Sequence, residues 1–461
     1  MGVESLSTCV GPAAVRRHAL KLGYVNGLLW SIGNGLTSGS LITYLAIDLG
    51  AEGVGVSLVL AVQALVGVLR VVSPKVITLA GGARRACLLL TLASYTLIFL
   101  LPAITLLGSP LRALEPVPTL IVLLCVHQLL EQLGTVALWT WWADLVPLRV
   151  RGRYFGRRNT MQLAALIPTV WASGWFVDMW KREFPELKLA GYAIVTGAGA
   201  AFLLASIVPL FFMPERIGRK RRDASPLQAS TRRDWRTMLA PLSETRFRRV
   251  LCFGLWFSLV NGLTQSAQNI YPKQVLGIGL TEQAAFVTLM RLGQAAYSLW
   301  VGPFSDRYGN RPALVLSQLV QAGGMAFFVV SSPGHDDWLY GAWIAWSAFA
   351  GINICIPNLL LKLAPRGQTA AYVGIYMGLT GAIYAAGAVG GGFLHDALKA
   401  DQASDFWSKL PLDFYHLLFL CGWVLRSMAV LWLVRIIEQG AWRWREILNA
   451  RRARQQGDSN E

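Results

Sequence analysis

The strongest constraint on this chain is its succession of long apolar runs. They lie near residues 24–48, 54–73, 86–107, 118–143, 160–178 and 190–213, and again near 249–272, 282–303, 312–332, 338–361, 369–394 and 412–436. A helix rises about 1.5 Å per residue, so roughly 20 apolar residues carry it across the hydrocarbon core of a bilayer. Twelve such runs predict an all-α membrane protein with 12 transmembrane helices, multi-pass in the cell inner or plasma membrane. The glycines and prolines inside the runs fit that reading, because neighbouring helices in a membrane can satisfy the backbone groups they free. Composition agrees: 54% of the 461 residues are hydrophobic and only 15% are charged, where a soluble protein carries about a quarter.

The formal charge of +17 points to an anionic partner. The stretch Asp144–Asn159, DLVPLRVRGRYFGRRN, packs five arginines into ten residues directly after an apolar run. Such bursts recur only between apolar segments, which favours anionic lipid headgroups over nucleic acid. The N-terminus, the even-numbered connections and the C-terminus hold 32 of the 42 Lys and Arg, counting those at span edges, and the odd-numbered connections hold seven. The positive-inside rule then places both termini in the cytoplasm. The expected organisation is a cytoplasmic N-terminus over 1–23, a six-helix bundle over 24–213, a basic linker over 214–248, a second six-helix bundle over 249–436 and a basic tail over 437–461. No CxxC pair, Cys/His cluster or phosphate-binding glycine loop occurs, so neither a metal, another cofactor nor direct ATP use is expected.

The chain repeats itself weakly but in order. VNGL stands at Val25–Leu28 and at Val260–Leu263, Arg151-Gly152 matches Arg366-Gly367, and GWFVD at Gly174–Asp178 matches GFLHD at Gly392–Asp396. Ser73-Pro74 and Gly302-Pro303 each close the second span of their half. An even number of spans per repeat keeps the orientation, so the halves are parallel repeats about an axis along the membrane normal.

GPFSDRYGNRP, from Gly302 to Pro312, resembles the G-x-x-x-D-R-x-G-x-R signature of the major facilitator superfamily of transporters, with Gly302, Asp306, Arg307, Gly309 and Arg311 in the signature positions. DLVPLRVRG resembles that family's acidic-x6-Arg-Gly element through Asp144, Arg151 and Gly152, and MPE at Met213–Glu215 resembles the usual exit from the sixth span. The resemblance implies the twelve-helix fold of that superfamily and a role for these residues, with Arg366, in a cytoplasmic latch that changes between access states. Asp144 and Asp306 sit at predicted helix C-termini, where the dipole disfavours an anion. Arg84, Arg85 or Arg151 could pair with the first, and Arg307, Arg311 or Arg366 with the second. The equivalent first-half turn, SPKVITLAGGARR, lacks the aspartate, so a latch there would be built around Asp144.

Polar residues inside the spans are costly and mark function. Span four carries His127, Gln128, Glu131, Gln132 and Thr135 as one stripe at helical spacing. Asn26, Trp30 and Asn34 follow on span one, Asn261, Gln265, Gln268 and Asn269 on span seven, Arg291 and Gln294 on span eight, and Trp346, Asn353 and Asn358 on span ten. The family resemblance implies a central cavity lined by spans one, four, seven and ten. The cavity candidates are therefore Asn34, His127, Glu131, Gln132, Asn261, Gln265, Arg291 and Asn353. Glu131 stands one turn from His127, with which it could share a proton, or it could pair with His127 or Arg291 structurally. Arg426 in span twelve fits no cavity, and snorkelling or local pairing is its simplest reading.

The expected activity is secondary transport of a small organic solute by alternating access of a monomer, with a proton as the candidate coupling ion and no catalytic residues. Span five, LAALIPTVWASGWFVD, lacks the Gly-Pro element usual in drug antiporters of the superfamily, which turns the reading from drug efflux towards a polar solute. A membrane enzyme would have to use His335-Asp336-Asp337 or His395-Asp396, both read as solvated polar turns. A sensor that binds ligand without moving it is the remaining alternative.

Overall fold

The computed structural model describes residues 12–105, 115–146, 148–215, 240–365, 369–401, 413–442 and 446. Most of the expected basic linker and tail lie outside them. The described chain is helical throughout, and among the described residues a lone bridge between Ser332 and His335 is the β-type pairing. Among the described residues, eight helical stretches are long and apolar enough to cross a membrane: 83–104, 116–142, 185–211, 245–274, 310–330, 338–363, 371–400 and 414–434. The other predicted spans are helical too, but broken or diluted by polar residues. The chain divides into two compact units, Met1–Arg232 with Ile278–Ala285, and Arg233–Gly277 with Phe286–Glu461.

The first unit contains α1 (Pro12–Leu36), α2 (Gly39–Asp48), α3 (Gly53–Gly67), α4 (Ser73–Leu79), α5 (Ala83–Ile98), α6 (Leu100–Thr105), α7 (Pro116–Leu145), α8 (Leu148–Glu183) and α9 (Lys188–Phe211). Span one is thus two helices, because Ser38 accepts a bond from Leu41 N–H and restarts the chain as an N-cap. Several helices overrun the apolar segments. The arginine-rich stretch after span four, expected as a loop, is mostly the opening of α8, which starts at Leu148. Arginine is a good helix former, so it marks the edge of the apolar run without ending the helix. Within this unit α1 lies against α8 and α9, and α5 against α7. Lys181 and Tyr192 both donate to Asp48 at 2.7 Å, tying the ends of α8, α9 and α2 together. Asp178 accepts from the backbone N–H of Leu280 at 3.1 Å and of Thr281 at 2.8 Å, capping the first turn of the helix that starts at Leu280.

The second unit holds α10 (Thr245–Gln274), most of α11 (Leu280–Tyr308), α12 (Asn310–Val330), α13 (Trp338–Trp346), α14 (Phe349–Leu363), α15 (Thr369–Ala400) and α16 (Phe414–Val434). Its core joins Phe247, Val250 and Phe253 of α10 to Leu314 of α12, Ile356 and Leu360 of α14, Tyr376 of α15 and Leu433 of α16. Large apolar side chains such as Leu299 and Phe393 are exposed, as suits helices that face lipid. Hydroxyls on the helices are mostly absorbed locally: Thr380 donates to Tyr376 O at 2.7 Å, one turn back. His395, expected in a solvated turn, is instead buried at 1% exposure, between Asp396 and the Tyr415 hydroxyl.

Apolar packing alone drives membrane helices together weakly, because lipid tails are as apolar as leucine, so small residues that let backbones touch carry much of the association. Helices α10 and α15 meet in this way. A Cβ at Gly262 would lie 2.4 Å from Tyr384 O, and one at Gly391 only 2.2 Å from Leu263 O. Replacing either glycine by leucine must push the helices apart, a cost of about 1–3 kcal/mol or more. The expected outcome for Gly262→Leu or Gly391→Leu is a lowered thermal unfolding midpoint of the purified chain; an unchanged midpoint would show that the crossing is not tight.

Candidate functional site

In the first unit the polar stripe on α7 is held by side chains from α5 and the segment before α4. Ser94 Oγ donates to His127 O at 2.9 Å, and His127 Nδ1 faces both Ser94 Oγ at 2.8 Å and Ser94 O at 3.0 Å. A carbonyl oxygen only accepts, and the serine proton is committed to His127 O, so Nδ1 carries hydrogen. Nε2 faces Glu131 Oε2 at 3.7 Å, one turn along the same helix. Gln132 Oε1 accepts from Arg70, whose Nε lies at 2.8 Å and whose Nη2 also donates to it. Asn34 is half-buried and its amide has no hydrogen-bond partner among the described residues.

A residue that sequence reasoning left in the basic connection sits close by. Arg158 of α8 is buried, and it donates to Gly23 O at 3.3 Å, Gln162 Oε1 at 2.9 Å and Asn26 Oδ1 at 3.3 Å. Its guanidinium lies 4.3 Å from the centroid of Trp142, and Asn26 donates in turn to Ser206 O of α9 at 2.8 Å. One arginine thereby fastens α1, α7 and α8. Its neighbour Arg157 is exposed, and helical spacing after the Tyr154–Phe155 aromatic pair was the signal that could have separated them.

In the second unit the amides of α10 are partly absorbed by their own helix. Asn261 donates to Phe257 O at 2.7 Å, Asn269 to Gln265 O at 2.9 Å and Gln268 to Thr264 Oγ1 at 2.5 Å. The Gln265 side chain and that of Asn353 on α14 have no such partner among the described residues, and Asn353 is exposed. Arg291 is exposed and donates to Gln294 of its own helix at 3.3 Å. Trp343 stacks on Phe286 at 5.9 Å and meets Trp346 edge-on at 5.2 Å.

The motif at the end of α11 forms a compact turn. Gly309 takes φ of 98° and ends the helix, and a Cβ there would lie 2.6 Å from Ala441 Cβ, so both conformation and space ask for glycine. Gly302 faces open space, and Asp306 and Arg307 are exposed, with Arg307 resting 5.3 Å from the Tyr308 ring. Asp306 makes no hydrogen bond or ion pair among the described residues. The carboxylate that caps α12 is Glu438, beyond the last helix: it accepts from Asn310 Nδ2 at 2.8 Å, from Arg311 N–H at 2.8 Å and from Lys362 Nζ at 2.9 Å. Burial alone would raise this carboxyl, but the bonds from Lys362, Asn310 and the Arg311 backbone outweigh it and hold it below the usual carboxylate range. The first unit repeats the idea. Glu215, after α9, has Oε1 within 3.2 Å of where a Cβ would stand at Gly82 before α5. Trp141 Nε1 donates to Pro214 O at 3.1 Å and Arg84 to Phe211 O at 2.8 Å. Asp144 closes α7, and Arg151 and Gly152 lie in the first turn of α8; their side-chain contacts, and Arg366 entirely, lie outside the described residues.

The comparisons with known proteins agree with this architecture. The chain matches the family profile described as Major Facilitator Superfamily over residues 24–388 and 251–439. No curated protein matches it by sequence. Among solved structures, a variant of the nucleoside transporter NupG is similar with a TM-score of 0.64 at 12% identity, over 92% of this chain and 100% of the other. A D-xylose-proton symporter gives a TM-score of 0.64 at 14% identity, over 92% and 98%. The inward open xylose transporter XylE from E. coli gives 0.60 at 15% identity, over 93% and 97%. With a family match across most of its length and helical units of this form, the chain is a multi-pass integral membrane protein that belongs to the major facilitator superfamily of transporters.

Proposed function

We propose that the protein is a proton-coupled secondary transporter of a small polar organic solute, working by alternating access with 12 membrane spans and both termini in the cytoplasm. Nucleoside and xylose transporters among its structural neighbours support a polar solute, and the amides of Asn34, Gln265 and Asn353, unpartnered among the described residues, supply hydrogen-bonding groups for one. The observation that carries the coupling is the geometry at Glu131, whose carboxylate faces His127 Nε2 at 3.7 Å. Two titratable side chains this close are able to share a proton. A carboxylate that loads and unloads a proton during the transport cycle converts a pH gradient into a bias between access states. The Glu438 cap, with the glycine turn at Gly309, serves as the latch of the second unit. Binding of solute without counterflow in proteoliposomes would overturn the transport reading in favour of a sensor.

Two outcomes follow from these assignments. Glu131→Gln is expected to lose uptake driven by a pH gradient while retaining exchange of labelled for unlabelled solute; pH-driven uptake equal to the parent protein's would show that the pair is purely structural. Glu438→Ala removes a helix cap and should lower stability by about 1–2 kcal/mol. Because the folded-state carboxyl is depressed, its contribution is complete above the unfolded carboxylate value and is lost as pH falls through the lower folded one. The parent and the variant should therefore converge in unfolding midpoint on acidification, and a gap that stays constant would contradict the assignment.

A further inference from the structure

Arg426 lies in the apolar helix α16 and is buried at 2% exposure. A cation in such a place needs a partner, and it marks a binding or functional role. Its guanidinium donates from Nη2 to Thr264 Oγ1 of α10 at 2.9 Å and stands 5.8 Å from the ring centroid of Trp346 on α13. Nε and Nη1 have no partner among the described residues. No carboxylate faces it there, and its titratable neighbour is Tyr384 of α15.

The surrounding polar atoms are also short of partners. Gln318 of α12 donates to the Arg426 carbonyl at 2.8 Å, which leaves its own Oε1 unpaired. Gln321, one turn along the same helix and fully buried, has neither amide atom bonded, and Trp346 Nε1 is likewise unpaired. The indole nitrogen is pressed onto α12, for a Cβ at Gly324 would lie 2.5 Å from it. Gly422, one turn before Arg426, lets α16 close on Thr264, whose Cγ2 would stand 2.6 Å from a Cβ there. Four helices thus converge on one uncompensated positive charge with several spare N–H donors around it.

Trapped water would satisfy hydrogen bonds but leave the charge of the guanidinium unbalanced in a low-dielectric interior, which is the costlier deficit. A monovalent ion of halide size answers both needs. It accepts bonds from several directions and carries the single negative charge that one guanidinium calls for. We propose that Arg426, Trp346 and Gln321 form a buried site for a small monovalent anion such as chloride, which ties α10, α12, α13 and α16 together within the second unit. Arg426 Nε and Nη1, Trp346 Nε1 and the Gln321 amide hydrogens are the donors, and the free amide oxygens turn to the remaining guanidinium hydrogens.

The test uses the purified full chain in detergent, with chloride exchanged for gluconate at constant ionic strength. The unfolding midpoint should rise with chloride or bromide and saturate, by about 2 °C or more, and should not rise with gluconate or sulfate. Arg426→Met should abolish the rise. Should that variant fail to fold, Trp346→Phe deletes a single donor and should move half-saturation to chloride concentrations about 2–10-fold higher. Equal midpoints in chloride and gluconate for the parent protein would overturn the proposal and leave the guanidinium hydrated by water alone. So would a rise that never saturates and is the same in Trp346→Phe.

Discussion

Inside a bilayer a polar group has no solvent to turn to, so each one must find its partner within the protein or be costly. Most features of this chain follow from how that demand is met. Backbone groups are satisfied by making every span a helix. Serine and threonine hydroxyls return to carbonyls one turn back, as at Thr196, which donates to Tyr192 O at 2.7 Å. The longer polar side chains cannot do this, and they are what organises each unit. Arg158 gathers three helices through carbonyl, amide and ring contacts, whereas the Arg426 guanidinium donates to Thr264 alone among the described residues.

The two halves solve the same problems with different residues. Each carries VNGL on its first helix, but Asn26 reaches across to Ser206 O while Asn261 bonds back to its own helix. Each places an acid after its sixth helix against the turn that follows the second. In the second half Glu438 is a fully engaged cap with three donors, and in the first Glu215 stands against a glycine turn that lacks the signature aspartate. A cap that accepts backbone N–H groups offsets the helix dipole directly. The exposed Asp306 carries no such bond among the described residues.

Much of this was legible in the chain. Helix positions followed from apolar runs, and the polar faces of α7 and α10 followed from residues at helical spacing. Helix ends did not, because an arginine that ends an apolar run continues a helix well, so α8 begins before its apolar stretch. The Glu131–His127 pair could be anticipated from its spacing. The assignment of hydrogen to His127 Nδ1 could not, since it depends on Ser94, 33 residues earlier.

The sequence by itself determined the membrane class, the internal repeat and the family, because hydrophobicity, periodicity and motif spacing are properties of neighbouring residues. Tertiary structure alone decided which charges are used. Among the arginines after span four it turned Arg158 inward and left Arg157 outside; it chose Glu438, 128 residues from Asn310, as the cap; and it buried Arg426 against Thr264, 162 residues away. A charge acquires its role from whatever group stands within about 3 Å of it, and that distance is set by how helices cross, which no local pattern records.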